Sequence, residues 1–254
     1  MTTYESAPSF QAALAACEQL ANQRLEGTRS ETASTGHRLS ARLLTTRDAL
    51  EAAYRLRYDV YVRQMGHKQF HADHTEGRIE EPLDQSGRVL GVYAGPDLVG
   101  TVRTNYARDS RLGYYEQLYE MSAVGPHHPK RTAISTKLMV HPAFRRRVLS
   151  VSSLLVLAAY ATQLVDGIRF NFIDCTSVME RFFTRFGFQR HIASVRHPEY
   201  GPSVCMALDL HDFEHIARVR SPFTPLARPE LITGGRQRES IPTAHAGIER
   251  GRLA

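Results

Sequence analysis

The residues best suited to bind an anion form a short basic loop between two regular elements. Ile134–Val140 alternates and stops ahead of Pro142, which predicts a strand, and apolar residues of helical spacing follow over Val148–Val165. Free backbone N–H groups and the positive dipole end at the start of this helix favour anions. We therefore expect a pyrophosphate or phosphopantetheine at the loop. The residues predicted to contact it are Val140, Arg145, Arg146, Arg147, Val148, Leu149 and Ser150.

A second set of chemically capable residues lies earlier in the chain. Glu81 and Asp84 stand three residues apart, ahead of a predicted strand at 88–94, and carboxylates so placed could take up a proton. Arg57 lies on a predicted helix and Arg103 on the next predicted strand. Either acid could instead pair with one of these arginines, so the sequence leaves the choice between base and ion-pair partner open.

The elements that must position these residues follow from the periodicity of apolar residues. Strands are predicted at 38–44, 88–94, 98–104, 134–140, 170–175, 192–195 and 201–210. Helices are predicted at 10–25, 46–61, 148–165 and 181–188, and a short helix at 114–121 is implied only by the family resemblance described below. Thr45 or Thr46 is expected to cap the second of these helices, because acidic residues follow in its first turn.

Two of these segments resemble the GNAT acyltransferases. The strand, basic loop and helix over 134–165 resemble their acyl-coenzyme A loop, and Phe182–Phe188 resembles their later Leu-Tyr-x-x-x-Gly-Phe segment. The resemblance implies an α/β (α+β) fold with a central mixed, mostly antiparallel sheet flanked by helices. Val148 and Ser150 replace the loop glycines, and Phe183 replaces the tyrosine that often acts as general acid. Both departures argue against an ordinary acetyl-coenzyme A enzyme.

Further motifs resemble the autoinducer-synthase-like subgroup of this superfamily, which includes acyl-homoserine-lactone synthases and N-acyl amino acid synthases. Leu56–Val62, the acids at Glu81 and Asp84, and Gly100–Arg103 resemble the subgroup's motifs and follow one another in the same order. The resemblance covers about residues 38–210.

Four positions depart from the pattern of the lactone synthases. Ile79 stands where an acid is usual ahead of Glu81 and Asp84, and His67 stands in place of a Trp. Ile134 and Lys137 stand in place of a Glu and an Arg ahead of the fourth strand. These departures favour N-acyl amino acid synthesis. The implied reaction moves a medium or long acyl chain from an acyl carrier protein or acyl-coenzyme A thioester to the α-amine of an amino acid.

The resemblance also implies roles for individual residues. Acyl-phosphopantetheine is a co-substrate, and no permanently bound cofactor is implied. One of the cations is expected to hold the carboxylate of the amino acid, and Cys175 is either a nucleophile or a small buried residue. The catalytic residues by position are Glu81, Asp84 and Arg103, and the substrate-binding residues are Arg57, Tyr61, Lys137 and Cys175.

Two other functions stay open at this point. One is an acyl-homoserine-lactone synthase that uses S-adenosylmethionine. The other is a non-catalytic module whose basic loop and tail bind an acidic protein or nucleic acid, with steep salt dependence in the latter case.

Composition sets broad limits. The 254 residues carry a formal net charge of +6, which suits either a solvated surface or an acidic partner such as a carrier protein. Basic and aromatic residues do not interleave along one element, so we expect no specific nucleic acid. Three cysteines without metal-type spacing and a lone His127–His128 pair predict reduced thiols and no metal site.

The sequence further predicts location and domain organisation. No signal peptide and no apolar run long enough to span a bilayer are visible, so we expect a cytoplasmic protein with at most peripheral membrane contact. We predict an N-terminal helix and linker at 1–36, an acyltransferase domain at 37–212 and a mostly disordered tail at 213–254. The N-terminal helix could be a lid or a dimer contact, or it could have no functional role.

Overall fold

The computed structural model of the protein describes residues 8–26 and 38–227, without the side chains of 8–10, 23–26 and 145–149. The strands in this part of the chain are β1 (Leu39–Leu43), β2 (Ala72–Asp73), β3 (Arg78–Ile79), β4 (Arg88–Ala94), β5 (Asp97–Tyr106), β6 (Thr132–Val140), β7 (Phe170–Cys175), β8 (Gln189–His197) and β9 (Gly201–Asp209). The α-helices are α1 (Pro8–Glu26), α2 (Arg47–Tyr58), α3 (Tyr114–Leu118), α4 (Val148–Val165), α5 (Ser177–Phe186) and α6 (Phe213–Arg218).

Seven of these strands form one sheet in the order β1-β4-β5-β6-β7-β9-β8, and β2 and β3 form a separate two-stranded ribbon. Every neighbouring pair in the large sheet is antiparallel except β6 and β7. This confirms the predicted mixed, mostly antiparallel sheet flanked by helices.

The parallel pair at the centre of the sheet is incomplete. β6 and β7 pair over only three positions, Thr132–Ile134 with Phe170–Phe172. Beyond these positions β6 continues to pair with β5, and β7 continues to pair with β9, but β6 and β7 no longer pair with each other. Two residues of β6, Lys137 and Leu138, stand opposite the single residue Val102 of β5, and Lys137 has a left-handed backbone with φ 55°. Such a bulge bends its strand, so β6 and β7 diverge and leave a cleft.

Local sequence explains several boundaries near this cleft. Thr46 caps α2 by accepting a hydrogen bond from the Ala49 N–H, as predicted. The helix predicted at 46–61 ends as an α-helix at Tyr58 and continues as a π-helical segment at Asp59–Gln64. Gly187 ends α5 with φ 101°, a conformation that glycine adopts without steric cost.

The N-terminal helix belongs to the core. Ala13, Leu14 and Cys17 of α1 are buried in the cluster that includes α4. Asn22 also exchanges two hydrogen bonds of 3.0 Å with the backbone of Leu39 on β1. Because α1 covers one side of α4 and the sheet covers the other, α4 is apolar over almost its whole surface.

The C-terminal part of the domain extends further than the sequence indicated. Residues 213–227, which the sequence places in the tail, form α6 and a turn-rich segment in which Phe223 and Leu226 are buried. Phe223 stacks on Tyr160 of α4 with ring centroids 4.0 Å apart. The prediction erred here because α6 is too short to show helical periodicity and is stabilised by tertiary contacts. The predicted disordered tail at 228–254 and the linker at 27–37 lie outside the described residues.

Candidate active site

Four charged side chains between α2 and the sheet form a buried ion-pair cluster. Arg57 Nη1 lies 2.6 Å from Asp84 Oδ2, and Arg103 Nη1 lies 3.2 Å from Asp84 Oδ1 and 2.8 Å from Glu81 Oε2. The side chains of Arg57 and Arg103 are 0% exposed. Asp84 also accepts a hydrogen bond of 2.8 Å from the Glu81 backbone N–H. The structure thus brings together residues from α2, the loop before β4, and β5.

Lys137 connects this cluster to a second carboxylate. Its Nζ lies 2.5 Å from Glu81 Oε1 and 3.6 Å from Glu199 Oε2, and it donates to the Tyr200 hydroxyl oxygen at 2.6 Å. The bulge in β6 turns the Lys137 side chain towards these partners. With Lys137 and Glu199 included, the linked groups are three basic and three acidic side chains. Such a balance is expected because a buried charge without an opposite partner is energetically costly.

The protonation states follow from burial and pairing. Burial would raise the pKa of Glu81, but Lys137 and Arg103 outweigh it and hold that pKa below its ordinary value. Burial would also raise the pKa of Asp84, but the hydrogen bond and the charge of Arg57 outweigh burial and hold that pKa below its ordinary value. Burial lowers the pKa of Lys137, and Glu81 offsets part of that effect. Both acids are therefore carboxylates at neutral pH.

A cavity of about 270 Å³ occupies the cleft between β6 and β7. Tyr115 packs on the sheet face that carries Phe172, whereas Val156 of α4 packs on the face that carries Ile173. Since Tyr115 and Val156 both line the cavity, it passes from one face of the sheet to the other.

The two ends of the cavity differ in chemistry. Lining residues with polar groups on the α3 side include Tyr61, His67, Tyr115, Lys137, Asp174 and Tyr200. Lining residues on the α4 side are mostly apolar and include Val156, Tyr160, Met179, Phe183, Leu208 and Phe223. Gln163 of α4 also lines the cavity, and its amide donates to the Ser135 hydroxyl at 3.0 Å. A ligand with a polar head and an apolar chain matches this division.

Some of the residues singled out from the sequence line this cavity. Tyr61, Lys137 and Cys175 do. The predicted residues Arg57, Arg103, Glu81 and Asp84 are not among its described lining residues and lie in the ion-pair cluster. Burial raises the pKa of Tyr61 to about 12, and its ring stacks on Tyr200 at 5.4 Å. The catalytic and substrate-binding roles assigned to these residues stay predictions.

Cys175 lies in an apolar environment. Its Sγ is 3.7 Å from the Met206 sulfur, and burial raises its pKa to about 12. A thiol of this kind is protonated at neutral pH and is a weak nucleophile. Of the two interpretations the sequence left open, these surroundings favour the small buried residue.

The backbone of the basic loop is described, but its arginine side chains are not. β6 ends at Val140, a 3₁₀ turn spans Pro142–Arg147 and α4 begins at Val148. The predicted contacts of Arg145, Arg146, Arg147, Val148 and Leu149 therefore lie outside the described side chains. The strand–turn–helix arrangement itself is as predicted. The anion site at the start of α4 stays a prediction.

Sequence reasoning missed several residues of the polar end. His197 and Glu199 come from the β8–β9 hairpin, and Tyr200 stacks on His197 at 4.4 Å. Gln69 accepts a hydrogen bond from the Tyr200 hydroxyl at 3.1 Å. These residues are up to 131 positions apart in the chain. No local pattern could have joined them, because only the folding of the sheet brings the hairpin over the cleft.

The fold and the site define a GNAT-like acyltransferase: a mostly antiparallel sheet opens between two central strands, and a cavity fills the opening. A sequence model of the N-acyl amino acid synthase FeeM family matches residues 52–209, which is more than half of the chain. The protein belongs to this family. No curated protein matches the chain.

Solved structures have the same fold at low sequence identity. FeeM, an N-acyl amino acid synthase from uncultured soil microbes, superposes with a TM-score of 0.57 and 16% identity, covering 72% of this chain and 98% of that one. The coenzyme A-dependent acyl-homoserine lactone synthase MesI superposes with a TM-score of 0.53 and 19% identity, covering 71% of this chain and 93% of that one. The acyl-homoserine lactone synthase LasI superposes with a TM-score of 0.52 and 13% identity, covering 69% of this chain and 91% of that one.

No helix among the described residues is both long enough and apolar enough to cross a membrane.

Proposed function

We propose that the protein transfers a medium-length acyl chain from a phosphopantetheine thioester to the α-amine of an amino acid. The observation that carries this proposal is the two-ended cavity through the sheet, with Lys137 at its polar end and an apolar pocket at the other. A cavity of about 150 Å³ accommodates a benzene molecule, so about 270 Å³ has room for roughly ten carbon atoms.

The donor would lie along the diverging edge of β6. Residues beyond Ile134 no longer pair with β7, so this edge can hydrogen-bond to the amides of a pantetheine arm. The phosphate end of the donor would then reach the turn at Pro142–Arg147 and the first N–H groups of α4. Acyl-coenzyme A and acyl carrier protein share this arm. The basic turn and the net charge of +6 suit an acidic carrier protein.

The acceptor would bind at the polar end. Lys137 is the only lysine or arginine among the described lining residues, so we assign it the carboxylate of the amino acid. Glu81 is the better candidate for proton acceptor, because it pairs with Lys137, which lines the cavity, whereas Asp84 is enclosed by two arginines and a backbone N–H. Glu81 remains ionised at neutral pH, as a proton acceptor must be.

Amide formation then needs positioning above all. Holding the neutral amine against the thioester carbonyl removes much of the entropic barrier. Arg103 keeps Glu81 in place at 2.8 Å and so acts on the reaction through that carboxylate.

The test is mass spectrometry of lipid extracts from cells expressing the wild type or Glu81→Gln. We expect an N-acyl amino acid with the wild type and none with Glu81→Gln, whose fold is checked by circular dichroism. Asp59→Asn serves as the control, because Asp59 forms an exposed ion pair with Arg63.

Purified protein gives the decisive version of this test. It is supplied with decanoyl-coenzyme A or the decanoyl carrier protein, together with the common amino acids. If the protein instead forms an acyl-homoserine lactone when S-adenosylmethionine is supplied, then S-adenosylmethionine is the acceptor and the proposed amino acid acceptor is wrong. Absence of any acyl transfer from both donors would refute the proposal.

A further inference from the structure

A carboxylate without an assigned role lines the polar end of the cavity. Asp174 lies on β7, two residues after Phe172 and therefore on the same face of the sheet, which is the face that α3 covers. Lys137 lies on β6, across the opening between the two diverging strands, and it lines the same end. A ligand at this end would have an acidic side chain on one side and a basic side chain on the other.

Asp174 lacks a basic partner in the described part of the chain. Its polar contact there is the Tyr119 hydroxyl, which donates to Asp174 Oδ1. Burial raises the pKa of Tyr119 well above its ordinary value, and Asp174 adds to the rise, so Tyr119 is a neutral donor. Burial lowers the pKa of His197, and Asp174 opposes that shift only in part, so this neighbouring ring is also neutral. Neither group compensates the charge of the carboxylate.

The charge balance of the polar end shows which charge is missing. Lys137 pairs with Glu81 and Glu199, and the ion-pair cluster continues from Glu81. The three basic and three acidic side chains of these linked groups balance one another. Asp174 raises the acidic count to four, which leaves a formal net charge of −1 when histidines are counted as neutral. This end of the cavity therefore favours a ligand that brings a positive charge.

The aromatic rings around Asp174 also suit a cation. Tyr61, Tyr115 and Tyr200 line the same end of the cavity. One ammonium already lies among them, because Lys137 Nζ is 5.1 Å from the ring centroid of Tyr61 and 5.2 Å from that of Tyr200. A ligand cation within about 6 Å of an aromatic ring face is attracted to it in the same way.

The two charges that every amino acid carries do not meet this need. The proposed function assigns the carboxylate of the acceptor to Lys137. The α-ammonium must lose its proton before its nitrogen can attack a thioester, so its charge is absent when the reaction occurs. A positive charge that persists through the reaction has to come from the side chain of the acceptor.

We propose that the acceptor is an amino acid with a cationic side chain, and that Asp174 binds this cation. The inference rests on the proposed function and names the class of acceptor for the same site. The carboxylate of the acceptor would face Lys137 on β6, and its side-chain ammonium or guanidinium would face Asp174 on β7. Lysine, ornithine and arginine belong to this class, and a guanidinium has the geometry to pair with a carboxylate through two N–H groups.

The first test compares acceptors that differ in the charge of the side chain. Purified wild type is supplied with decanoyl-coenzyme A and with arginine or citrulline, whose side chains have nearly the same shape. Lysine and norleucine, which lacks the terminal amine, form a second pair. Hydrogen bonds to a charged group are stronger than neutral ones, so we expect kcat/KM to be about tenfold to hundredfold higher for the cationic member of at least one pair. Mass spectrometry of the products identifies the acylated nitrogen.

The second test assigns the preference to a residue. Asp174→Asn keeps an oxygen that can accept from Tyr119 but removes the charge. We expect its kcat/KM for arginine to fall to that for citrulline, with the citrulline value unchanged. Asp209→Asn is the matched control, because Asp209 lies on the neighbouring strand β9, pairs with Arg169 and is not among the described lining residues. This variant should keep the wild-type preference, and circular dichroism checks the fold of both variants.

The outcomes separate this inference from the function on which it rests. If the wild type transfers decanoyl to no amino acid from either coenzyme A or the carrier protein, the proposed function fails. If it acylates citrulline and norleucine at least as well as arginine and lysine, acyl transfer stands and the cationic acceptor is wrong. If a folded Asp174→Asn keeps the wild-type preference, another group binds the cation. The wild-type comparison decides the acceptor class whether or not the variants fold.

Discussion

Replacing Asp84 by Asn tests whether the ion-pair cluster is the structural foundation of the site. The change keeps the size of the side chain but removes one negative charge from between Arg57 and Arg103, which are both 0% exposed. Arg57 Nη1 would lose its only charged partner among the described residues. Its other recorded contact with an acceptor is a 3.5 Å hydrogen bond to the Ile79 carbonyl oxygen. A buried guanidinium would be left without compensation.

The expected cost follows from this burial. Breaking a buried pair by removing one partner costs about 3–5 kcal/mol. A folded domain of this size shifts its Tm by about 2–4 °C per kcal/mol, so Asp84→Asn should lower the Tm by about 6–20 °C. Part of the usual stability of about 5–15 kcal/mol would remain, so the variant should still fold at low temperature.

The chain offers a matched control. Arg63 and Asp59 form an ion pair of the same 2.6 Å length as Arg57 and Asp84, but the side chain of Arg63 is 67% exposed. Asp59→Asn should cost less than about 1 kcal/mol. Thermal unfolding of both variants and the wild type, followed by circular dichroism, gives the comparison. Equal Tm losses in the two variants would refute the idea that burial makes the Asp84 pair important.

The same cluster predicts how stability depends on pH. The pKa of Asp84 is below its ordinary value in the folded protein, so its contribution is present above a pH of about 4 and is lost as the pH falls through the folded pKa. Wild-type stability should therefore decline below about pH 4, and Asp84→Asn should decline less steeply. Parallel pH profiles of unfolding would contradict this assignment.

Three further predictions concern the cavity and the sheet. Phe223→Ala should shift the preferred donor from decanoyl towards tetradecanoyl, because the Phe223–Tyr160 stack forms part of the apolar lining; unchanged ranking of competing donors would exclude this. Cys175→Ala should retain transfer activity, since its thiol is buried with a pKa of about 12; a complete loss in a folded variant would restore the nucleophile hypothesis. Gly100→Ala should cost about 1–3 kcal/mol in denaturant unfolding, because the added Cβ would lie 2.7 Å from Val151 Cγ1 and 2.8 Å from the Met139 carbonyl oxygen; a wild-type midpoint would show that the sheet relaxes around it.

The sequence alone was sufficient for the regular elements around the cleft. The strands predicted at 88–94 and 170–175 match β4 and β7 residue for residue, because short apolar runs and the turn residues that bound them are local properties of the sequence. The basic turn between β6 and α4 could be located for the same reason, since Pro142 and the apolar run from Val148 are contiguous signals. The resemblance to N-acyl amino acid synthases likewise depends on short motifs that follow one another in the subgroup's order along this chain.

Tertiary structure decided which of these residues meet. The sequence left Glu81 and Asp84 free to be bases or ion-pair partners, and only the folded protein shows Asp84 enclosed by Arg57 and Arg103. The divergence of β6 from β7 depends on a bulge at Lys137 that no periodicity reveals. Burial of Phe223 and the contact of His197 with Tyr115 join segments far apart in the chain. Local sequence patterns cannot predict such contacts. Their energy comes from burial and from pairing between distant segments, which exist only once the sheet has formed.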